Sequence, residues 1–489
     1  MQHVEKTGPK PPCPGQEHTL HIDKLAFGGQ GIARLQGKTV FVPHALPGQQ
    51  VRAVITRVKD SHLYARVRQV EQDSPGQIAP RCAHFGACGG CVWQQLPYSE
   101  QLKYKQQLIC ETLQHLTPVD KLLRQQLGQC IREILPSPQQ FHYRNKLEMS
   151  FGYAHMAAQR QPNGKLVWHD EQPSIGFHQR GQWATVLPIA RCHLYEESID
   201  TLVQQVNSMM QASGLPVYNP KTHKGVWRNL LLRRGVQTGE QMIALMVQAT
   251  GKQLQHVLQC AQQLNLGQQI TSMLVIENHT RNDRPVNPAH HTIHTVLGKP
   301  FITERLFDLT YRISPFSFFQ TNTLAAQVLY NVVREAAELQ QHHLLLDAYC
   351  GMGSIGQHLA PHCQHVVGIE NNPAAIADAK QSVQTNGIDN ITFYTGNVED
   401  VLVNTHAECF KKFDVAVVDP PRMGLHPKAT QALVQLAPKR LVYVSCNTTT
   451  FARDLATFLQ EGYQLQWVQG VDMFPHTAHI ETVAALCKP

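Results

Sequence analysis

The N-terminal part of the chain alternates apolar and polar residues with a period of two. Short runs of this kind are Thr39–Pro43, Val51–Arg57 and Leu63–Val70. Turn signals such as Pro47-Gly48 separate them. Such alternation is typical of strands that bury one face. Several short strands in succession predict a small β-barrel over residues 15–75.

The C-terminal part alternates strand-like apolar runs with helix-like stretches such as Pro373–Thr385. The apolar runs end at Asp347, Glu370, Asp419 and Cys446. This rhythm predicts an α/β domain with a doubly wound sheet. Because ligands in such sheets bind beyond the carboxyl ends of the strands, we expect these four residues to share one site.

Strands and helices are mixed between these two regions. We expect a central α+β domain over residues 79–315, followed by the α/β domain over residues 316–489. A helical stretch is predicted from Ser99 to Leu127. The basic clusters Arg233-Arg234 and Tyr143–Lys146 fit RNA contact and ordinary surface charge equally well.

The composition is that of a globular protein with a nearly balanced charge. The chain has 489 residues, 42% of them hydrophobic, and no apolar run approaches the ~18 residues of a membrane helix. Residues 1–14 are polar and rich in proline, so they do not resemble a signal peptide. We therefore expect a cytoplasmic protein without membrane association, and we see no sign of an obligate protein partner. The net charge of +7 is compatible with a nucleic-acid partner but does not require one.

Cysteine is frequent, with 13 residues in the chain. Disulfides are uncommon in the reducing cytoplasm. Some of these thiols are therefore predicted to be metal ligands or catalytic groups, and their positions must indicate which.

A glycine-rich loop follows the predicted strand Leu344–Asp347. It contains Gly351-Met352-Gly353 and opens a predicted helix at Ser354. Glycines allow the backbone to approach a ligand closely. Glu370 ends the next strand, where an acid can bind ribose hydroxyls. This pattern suits NAD and S-adenosylmethionine equally well, and an ordinary structural turn is a third interpretation.

The segment Asp419-Pro420-Pro421-Arg422 discriminates between NAD and S-adenosylmethionine as the predicted cofactor. It follows the predicted strand Phe413–Val418, and its prolines fix the loop so that the Asp419 carboxylate faces the site. Asp-Pro-Pro at a strand end is typical of methyltransferases and is not expected in nicotinamide-binding domains. The sequence therefore favours S-adenosylmethionine.

Cys446 follows the predicted strand Leu441–Ser445 and begins a polar run. A buried core cysteine is the alternative, but the polar neighbours and the shared sheet edge favour catalysis. A thiolate can add to C6 of uracil and make C5 reactive enough to attack a sulfonium methyl group. A base must then remove the C5 proton, and Glu481 is the candidate. Cys350, inside the glycine loop, is the alternative nucleophile, but it is predicted to pack or to touch the cofactor.

On these residues, the chain resembles the RNA 5-methyluridine methyltransferase family over nearly its whole length. It is most similar to the bacterial branch that modifies 23S ribosomal RNA. The segments that carry the resemblance are Ser314–Asn322, Asp347–Gly353, Val418–Leu425 and Asp472–Thr482. The N-terminal barrel resembles a TRAM domain, an OB-like RNA-binding module. The resemblance implies a class I Rossmann-like S-adenosylmethionine methyltransferase domain, preceded by this barrel and a mixed α+β central domain.

The resemblance also implies roles for individual residues. Cys446 would be the nucleophile and Glu481 the base, acting on a uridine flipped from its stack. The family pattern is broken at Thr448, where proline is usual, and at Ser354, where some members have asparagine, but neither change removes a reacting group. The residues implied to bind S-adenosylmethionine are Gln320, Tyr349, Ser354, Glu370, Asn397 and Asp419.

The upstream cysteines match the iron–sulfur ligands of the family. The spacing Cys82-x5-Cys88-x2-Cys91 supplies three, and Cys192 would be the fourth. On spacing alone, four thiolates could equally hold zinc, or no metal could be bound. The resemblance favours a [4Fe–4S] cluster with a structural or RNA-positioning role.

Several other functions compete with this one. The barrel and the cysteines favour 23S rRNA over tRNA, because the tRNA branch usually lacks both. A cytosine-C5 enzyme would carry cysteine where Arg422 stands, and an amino-group methyltransferase would carry an aromatic residue there. A non-catalytic RNA-binding or ribosome assembly protein would need neither Cys446 nor Glu481. Phe316, Phe318 and Phe319 could stack on RNA bases, but core packing is the favoured interpretation.

Overall fold

The computed structural model divides into two compact units by internal contacts. Unit 1 comprises residues up to 86, 90–108 and 474–479, and unit 2 comprises residues 87–89, 109–473 and 480–489. No helix in the described part of the chain is long and apolar enough to cross a membrane. The described residues are 11–114, 128–154, 159–160, 166–167, 172–179, 182–189, 191–282, 290–404 and 412–489.

Unit 1 is built on a six-stranded sheet in the order β1-β5-β6-β4-β3-β2. All neighbouring strands are antiparallel except the parallel pair β4 and β6. Alternate residues such as Val40, Val42, Ala53 and Ile55 face inward and form the core, as the period of two predicts. The strands and the helix that follows them are β1 (Glu17–His21), β2 (Lys24–Leu25), β3 (Gly31–Leu35), β4 (Lys38–Val42), β5 (Gln50–Val58), β6 (His62–Gln72) and α1 (Tyr98–Gln114).

The middle of the chain forms a seven-stranded sheet in the order β12-β11-β8-β13-β14-β15-β16, in which only β14 and β15 are parallel. Two helices pack their apolar faces against its core through residues such as Val206 and Val257. The elements are β7 (Ile131–Leu135), β8 (Lys146–Ala154), β9 (Gln159–Arg160), β10 (Leu166–Val167), β11 (Gln172–Gln179), β12 (Gln182–Pro188), α2 (Asp200–Ala212), β13 (Trp227–Arg234), β14 (Gln241–Val247), α3 (Gly251–Gln262), β15 (Ile270–Asn278), β16 (His291–Gly298), β17 (Ile302–Leu306) and β18 (Leu309–Ile313), with a 3-10 turn at Glu197–Ile199.

The C-terminal part forms an eight-stranded sheet in the order β21-β20-β19-β22-β23-β25-β24-β7. Its first five strands are parallel. Most residues of β20, β19, β22 and β23 are buried because helices cover a parallel sheet on both faces, whereas the edge strand β21 buries only Phe393. The elements are α4 (Thr323–Ala337), β19 (Leu344–Ala348), α5 (Ser354–Leu359), β20 (His365–Glu370), α6 (Pro373–Asn386), β21 (Ile391–Thr395), α7 (Val398–Asn404), β22 (Val415–Val418), α8 (Pro427–Leu436), β23 (Arg440–Ser445), α9 (Thr448–Gln460), β24 (Gln464–Val471) and β25 (Glu481–Cys487), with a 3-10 turn at Ala360–His362.

The predicted barrel, mixed central sheet and doubly wound α/β sheet are all present. The helix predicted from Ser99 to Leu127 is observed as α1, and residues 115–127 lie outside the described residues. One strand departs from the expected plan: β7 lies in the segment assigned to the central domain but pairs with β24 of the last sheet. Strand pairing across more than 300 residues leaves no local pattern in the sequence. The domain boundaries 79–315 and 316–489 remain predictions.

Candidate active site

The glycine loop leaves β19 through three residues with positive φ. Tyr349 has a φ of 64°, Gly351 of 57° and Gly353 of 72°. A Cβ atom on Gly353 would lie 2.7 Å from the ring of Phe393, so no larger residue fits there without movement. A hydrogen bond joins the two ends of the loop: the Gly356 amide at the start of α5 donates to Asp347 Oδ2 at 2.9 Å.

Glu370 is held at the end of β20 by backbone amides. Its Oε2 accepts from the Gly351 amide at 3.1 Å, and its Oε1 accepts from the Asn372 amide at 2.8 Å. Two fixed donors set the orientation of the carboxylate. An oriented carboxylate beside a glycine loop is suited to bind sugar hydroxyls, as the sequence predicts.

A cavity of about 170 Å³ opens beside this carboxylate. Three of the six residues predicted to bind the cofactor line it, namely Tyr349, Glu370 and Asn397. Its full lining is Tyr349, Glu370, Asn371, Gly396, Asn397, Val398, Glu399, Pro421, Gly424 and His426. Polar groups from the segments that follow four strands, β19 to β22, fit a polar, ribose-containing ligand such as S-adenosylmethionine.

The other three predicted residues do not belong to this lining. The hydroxyl of Ser354 is hydrogen bonded to the Tyr330 hydroxyl at 2.6 Å. The backbone carbonyl of Gln320 accepts from Asn145 at 2.7 Å, and the side chain of Gln320 is half-buried. Asp419 follows β22, and its amide donates to the Ala348 carbonyl at 3.3 Å. Their contact with a cofactor remains a prediction.

Cys446 and Glu481 occupy facing ends of two antiparallel strands. Ser445 of β23 pairs with Thr482 of β25, and the Thr482 hydroxyl donates to the Ser445 carbonyl at 3.2 Å. The residue after Ser445 and the residue before Thr482 are therefore opposite each other. Cys446 is half-buried, whereas Glu481 is 6% exposed. The fold thus brings the predicted nucleophile and the predicted base together.

Burial and nearby charges perturb the acidity of this pair. Burial raises the pKa of the Cys446 thiol to about 11, and the carboxylates of Glu481 and Asp419 add to the rise, while the Arg422 guanidinium opposes it. Burial raises the pKa of Glu481 well above its usual range, with Asp419 adding to the rise and Arg422 opposing it. Burial also raises the pKa of Asp419 to about 7. Such shifts are frequent at catalytic sites.

Comparison with known proteins identifies the family. Residues 291–488 match the family model described as tRNA (Uracil-5-)-methyltransferase, and residues 11–67 match the TRAM domain. An RNA methyltransferase of Clostridium tetani is 33% identical over 476 residues, covering 96% of this chain and 98% of the relative. One of Bacteroides thetaiotaomicron is 35% identical over 467 residues, covering 94% and 99%. The chain belongs to the RNA (uracil-5-)methyltransferase family.

A solved structure agrees with this assignment. The crystal structure of the Pyrococcus abyssi tRNA (uracil-54, C5)-methyltransferase in complex with S-adenosyl-L-homocysteine is 27% identical, with a TM-score of 0.70, and the match covers 96% of this chain and 99% of that one. The predicted Rossmann-like fold with an N-terminal TRAM domain is therefore confirmed. The protein is an S-adenosylmethionine-dependent RNA (uracil-C5)-methyltransferase.

In this methyltransferase, Arg422 is the active-site residue to which sequence reasoning gave no role. Its backbone carbonyl accepts from the Asn447 side chain at 2.9 Å, and Asn447 also caps α9 by accepting from the Thr449 amide at 3.1 Å. The loop after Asp419 and the loop after Cys446 are tied together in this way. The position was visible inside the Asp-Pro-Pro-Arg motif, but its electrostatic effect on Cys446 needs the folded arrangement.

Cys350, the alternative nucleophile of the methyltransferase, is buried. Its thiol belongs to a small core cluster with Ile376, Ala379 and Phe393. Burial, with Asp347 and Glu370 as secondary causes, raises the pKa of this thiol. A buried thiol with a raised pKa is unreactive, in agreement with the packing interpretation.

The three aromatic residues of the Ser314–Asn322 segment have different surroundings. Phe319 is 7% exposed and packs on Tyr311, with ring centroids 5.7 Å apart. Phe316 packs edge-on against His291, with centroids 4.8 Å apart. Phe318 is 65% exposed. Core packing is therefore wrong for Phe318, because its neighbours fill the interior and leave its ring at the surface.

The two basic clusters have structural contacts. Arg233 is buried and donates to the Ser317 carbonyl. Arg234 bonds Glu196 at 2.6 Å and donates to the Arg144 carbonyl at 3.1 Å. These arginines hold backbone segments together, so the structure favours neither surface charge nor RNA contact as their role.

The four cysteines predicted to bind a cluster fall into two pairs. In unit 1, the side chain of Gln94 accepts from the Cys82 amide at 3.0 Å and donates to the Cys91 thiol at 3.3 Å. In unit 2, Cys88 forms an isolated bridge with Gln179, and Cys192 packs against the central core. Among the described residues, no group of three or more histidine, cysteine or acidic side chains is spaced to hold a metal. The four-thiolate ligand set therefore remains a prediction from the sequence.

The loop between β24 and β25 carries a buried clamp that belongs to unit 1. His476 has a φ of 65°. Its amide donates to the Gln101 side chain at 2.8 Å, and its carbonyl accepts from the amides of Val92 and Trp93 at 2.9 and 3.1 Å. Nearby, the ammonium of Lys105 donates to the Phe474 carbonyl at 3.1 Å. The chain five residues before Glu481 is thus fixed through its own backbone groups.

Proposed function

We propose that the methyltransferase forms 5-methyluridine through a covalent bond between Cys446 and C6 of the target uracil, with Glu481 as the base. The observation that carries this proposal is the facing position of Cys446 and Glu481 at the ends of β23 and β25. A cysteine and a carboxylate at this edge match what the chemistry of uracil C5 requires.

The proposed reaction has three steps: addition to C6, methyl transfer to C5, and elimination. The Cys446 thiolate adds to C6, and the electron pair of the C5–C6 bond moves into an enolate over C5, C4 and O4. S-adenosylmethionine would supply the methyl group: the C5–CH3 bond would form as the bond from that carbon to the sulfonium sulfur breaks, with S-adenosylhomocysteine as the leaving group. Glu481 then takes the proton from C5, the C5–C6 double bond forms again, and the thiolate leaves.

The charges of the pair bear on the order of these steps. A charged Glu481 raises the pKa of the Cys446 thiol, so the two groups disfavour each other's negative charge. Once sulfur is bound to C6, it is a neutral thioether. Glu481 then carries its negative charge without this repulsion, at the stage where a base is needed.

We further propose 23S ribosomal RNA as the substrate and the cytoplasm as the location. The support is the resemblance of the sequence motifs to the branch that modifies 23S rRNA. tRNA is the second candidate, because the relative from Pyrococcus abyssi, named as a tRNA methyltransferase, matches along 96% of this chain. The barrel alone therefore does not discriminate between the two RNAs.

The test is methyl transfer from labelled S-adenosylmethionine to unmodified total RNA, separated into 23S, 16S and tRNA. Nucleoside mass analysis should find labelled 5-methyluridine in 23S rRNA. If labelled 5-methyluridine were found in tRNA alone, the proposed chemistry would stand, but the substrate would be tRNA and not 23S rRNA. Cofactor binding without any 5-methyluridine would contradict the assignment of the catalytic edge.

We also propose that Cys82, Cys88, Cys91 and Cys192 bind a [4Fe–4S] cluster. The support is their spacing and the resemblance of the sequence, and no step of methyl transfer requires the cluster. Anaerobically purified protein should contain about four iron and four sulfide ions per chain. Stoichiometric zinc, or no metal, would refute the proposal.

A further inference from the structure

Three aromatic side chains form a cluster on the outward face of the barrel. Phe41 of β4 and His62 and Tyr64 of β6 alternate with the inward-facing core residues Val40 and Leu63. Each of the three rings is half-buried rather than enclosed. The buried core cluster of the barrel is built from other residues, so part of the surface of each ring is open to a partner.

The geometry of the cluster leaves ring faces available at the surface. The rings of Phe41 and Tyr64 are stacked, with centroids 5.6 Å apart and planes at 30°. His62 stands edge-on to both, at 5.5 and 5.2 Å. The His62 ring is fixed by hydrogen bonds to the hydroxyls of Ser61 at 2.9 Å and Tyr64 at 3.3 Å. A rigid aromatic platform binds a flat partner without losing much side-chain entropy.

Exposed arginines flank the platform on both sides. In the strand register, Arg57 of β5 is directly opposite Tyr64, and Arg34 of β3 is opposite Thr39, which is itself opposite His62. Arg66 is exposed two residues beyond Tyr64. Paired positions on adjacent strands point to the same face, so these cations share the surface of the rings.

These arginines differ from the others on the same strands. Arg52 and Arg68 are engaged by acidic partners, Glu71 at 2.9 Å and Glu17 at 3.6 Å. Within the described part of the barrel, no ion pair engages Arg34, Arg57 or Arg66. Three arginines without such an ion pair thus lie on the strands that carry the aromatic cluster or next to them. Aromatic rings between unpaired cations are complementary to bases on a phosphate backbone.

We propose that Phe41, His62 and Tyr64, with Arg34 and Arg57, form a platform that stacks unpaired RNA bases and holds their phosphates. The inference deepens the proposed function, since it rests on RNA as the substrate and gives the barrel its share in binding it. A duplex cannot use such a platform, because its base faces are covered by their neighbours in the stack. The surface is therefore selective for single-stranded segments.

The test measures binding of the full-length protein to a fluorescent oligoadenylate of about ten nucleotides, a length in the range that one OB-like barrel binds. This RNA contains no uridine, so binding is independent of methyl transfer. Tyr64→Leu, which keeps apolar bulk but removes the ring, should weaken binding on the order of tenfold. Tyr64→Trp should bind like the native protein. Phe41→Leu repeats the test if Tyr64→Leu lowers the melting temperature.

The charged part of the platform has a matched control. Arg57→Gln should weaken binding and reduce the slope of log affinity against log salt by about one. Arg68→Gln makes the same change in net charge on the same barrel and should leave affinity and slope unchanged. Equal effects of the two substitutions would overturn the assignment of the surface.

Two other outcomes would also overturn it. One is unchanged oligoadenylate affinity in both Tyr64→Leu and Phe41→Leu. The other is that Tyr64→Leu weakens binding of a blunt RNA duplex of the same length as much as it weakens binding of oligoadenylate, because the rings would then not act on unpaired bases. A native protein that binds oligoadenylate through this platform but forms no 5-methyluridine would contradict the proposed function alone.

Discussion

The glycine loop after β19 and the strand end after β23 place a cysteine each at the same edge of one parallel sheet. Cys350 turns into a core of Ile376, Ala379 and Phe393. Cys446 is half-exposed and is affected by the charges of Glu481, Asp419 and Arg422. Burial raises the pKa of both thiols. Carboxylates act on both thiols, so what separates the two regions is exposure: Cys446 is half-exposed, whereas Cys350 is 8% exposed.

The largest effect that tests this comparison is the loss of the Cys446 thiol. We expect Cys446→Ala to lower methylation on the order of 10⁴-fold or more, because no other thiol can form the C6 bond. Cofactor binding, measured by calorimetry, should remain. Cys350→Ala is the matched control and should stay active below its melting temperature, with a loss in the free energy of unfolding of about 1–2 kcal/mol from the small cavity. Inactivation by Cys350→Ala with normal turnover by Cys446→Ala would reverse the two roles.

A smaller but more specific effect is expected at the base. Glu481→Gln should reduce turnover about 10²- to 10⁴-fold, because the amide cannot take the C5 proton. The covalent protein–RNA adduct should accumulate and survive a denaturing gel. The double variant with Cys446→Ala should form no adduct. Fast product release by Glu481→Gln would remove Glu481 from this role.

The pH dependence tests the electrostatic side of the comparison. Because the pKa of the Cys446 thiol is about 11, the thiolate fraction rises about tenfold per pH unit below that value. Since only the thiolate attacks, kcat/KM should increase from pH 7 upward. Arg422 lowers the pKa of Cys446, so Arg422→Gln should move the profile to higher pH. An unchanged profile in Arg422→Gln would show that its charge does not act on the nucleophile.

The smallest effect concerns the backbone of the glycine loop. Gly353→Ala should lower the free energy of unfolding by about 1–3 kcal/mol, because its Cβ would lie 2.7 Å from the Phe393 ring at a positive φ. Gly351→Ala has a similar φ but no atom within 4 Å of the new Cβ, so it should cost only about 1 kcal/mol. Denaturant unfolding compares the two variants. Equal losses in the free energy of unfolding would mean that the Phe393 ring moves aside at little cost.

Local patterns were sufficient to predict the elements of the catalytic sheet and the position of its polar edge. Strand ends, glycine loops and Asp-Pro-Pro are contiguous in the sequence, so Glu370 and Cys446 could be assigned without a structure. What escaped prediction depends on pairing between distant segments. The partner of β7, the contacts of Arg233, the exposure of Phe318 and the tie between Arg422 and Asn447 are examples.

The cysteine spacing is a local pattern that indicates a site without showing how distant side chains are arranged. A pattern such as Cys88-x2-Cys91 indicates a metal site strongly, yet among the described residues no group of three or more histidine, cysteine or acidic side chains is spaced to hold a metal. Side chains that a metal would gather have no reason to converge without it. The ligand set therefore remains a prediction that metal analysis decides.

The clamp on His476 has a consequence for how the chain is made. Residues 474–479 complete a unit whose other parts lie before residue 109. A ribosome releases the early parts of this unit first, and nascent domains generally fold as they emerge. Several hundred residues are therefore synthesised between Gln101, Val92 and Trp93 and the segment 474–479 that they bind. Glu481 is added to the chain only a few residues after this segment, so a chain that stops before residue 474 has neither the segment nor the proposed base.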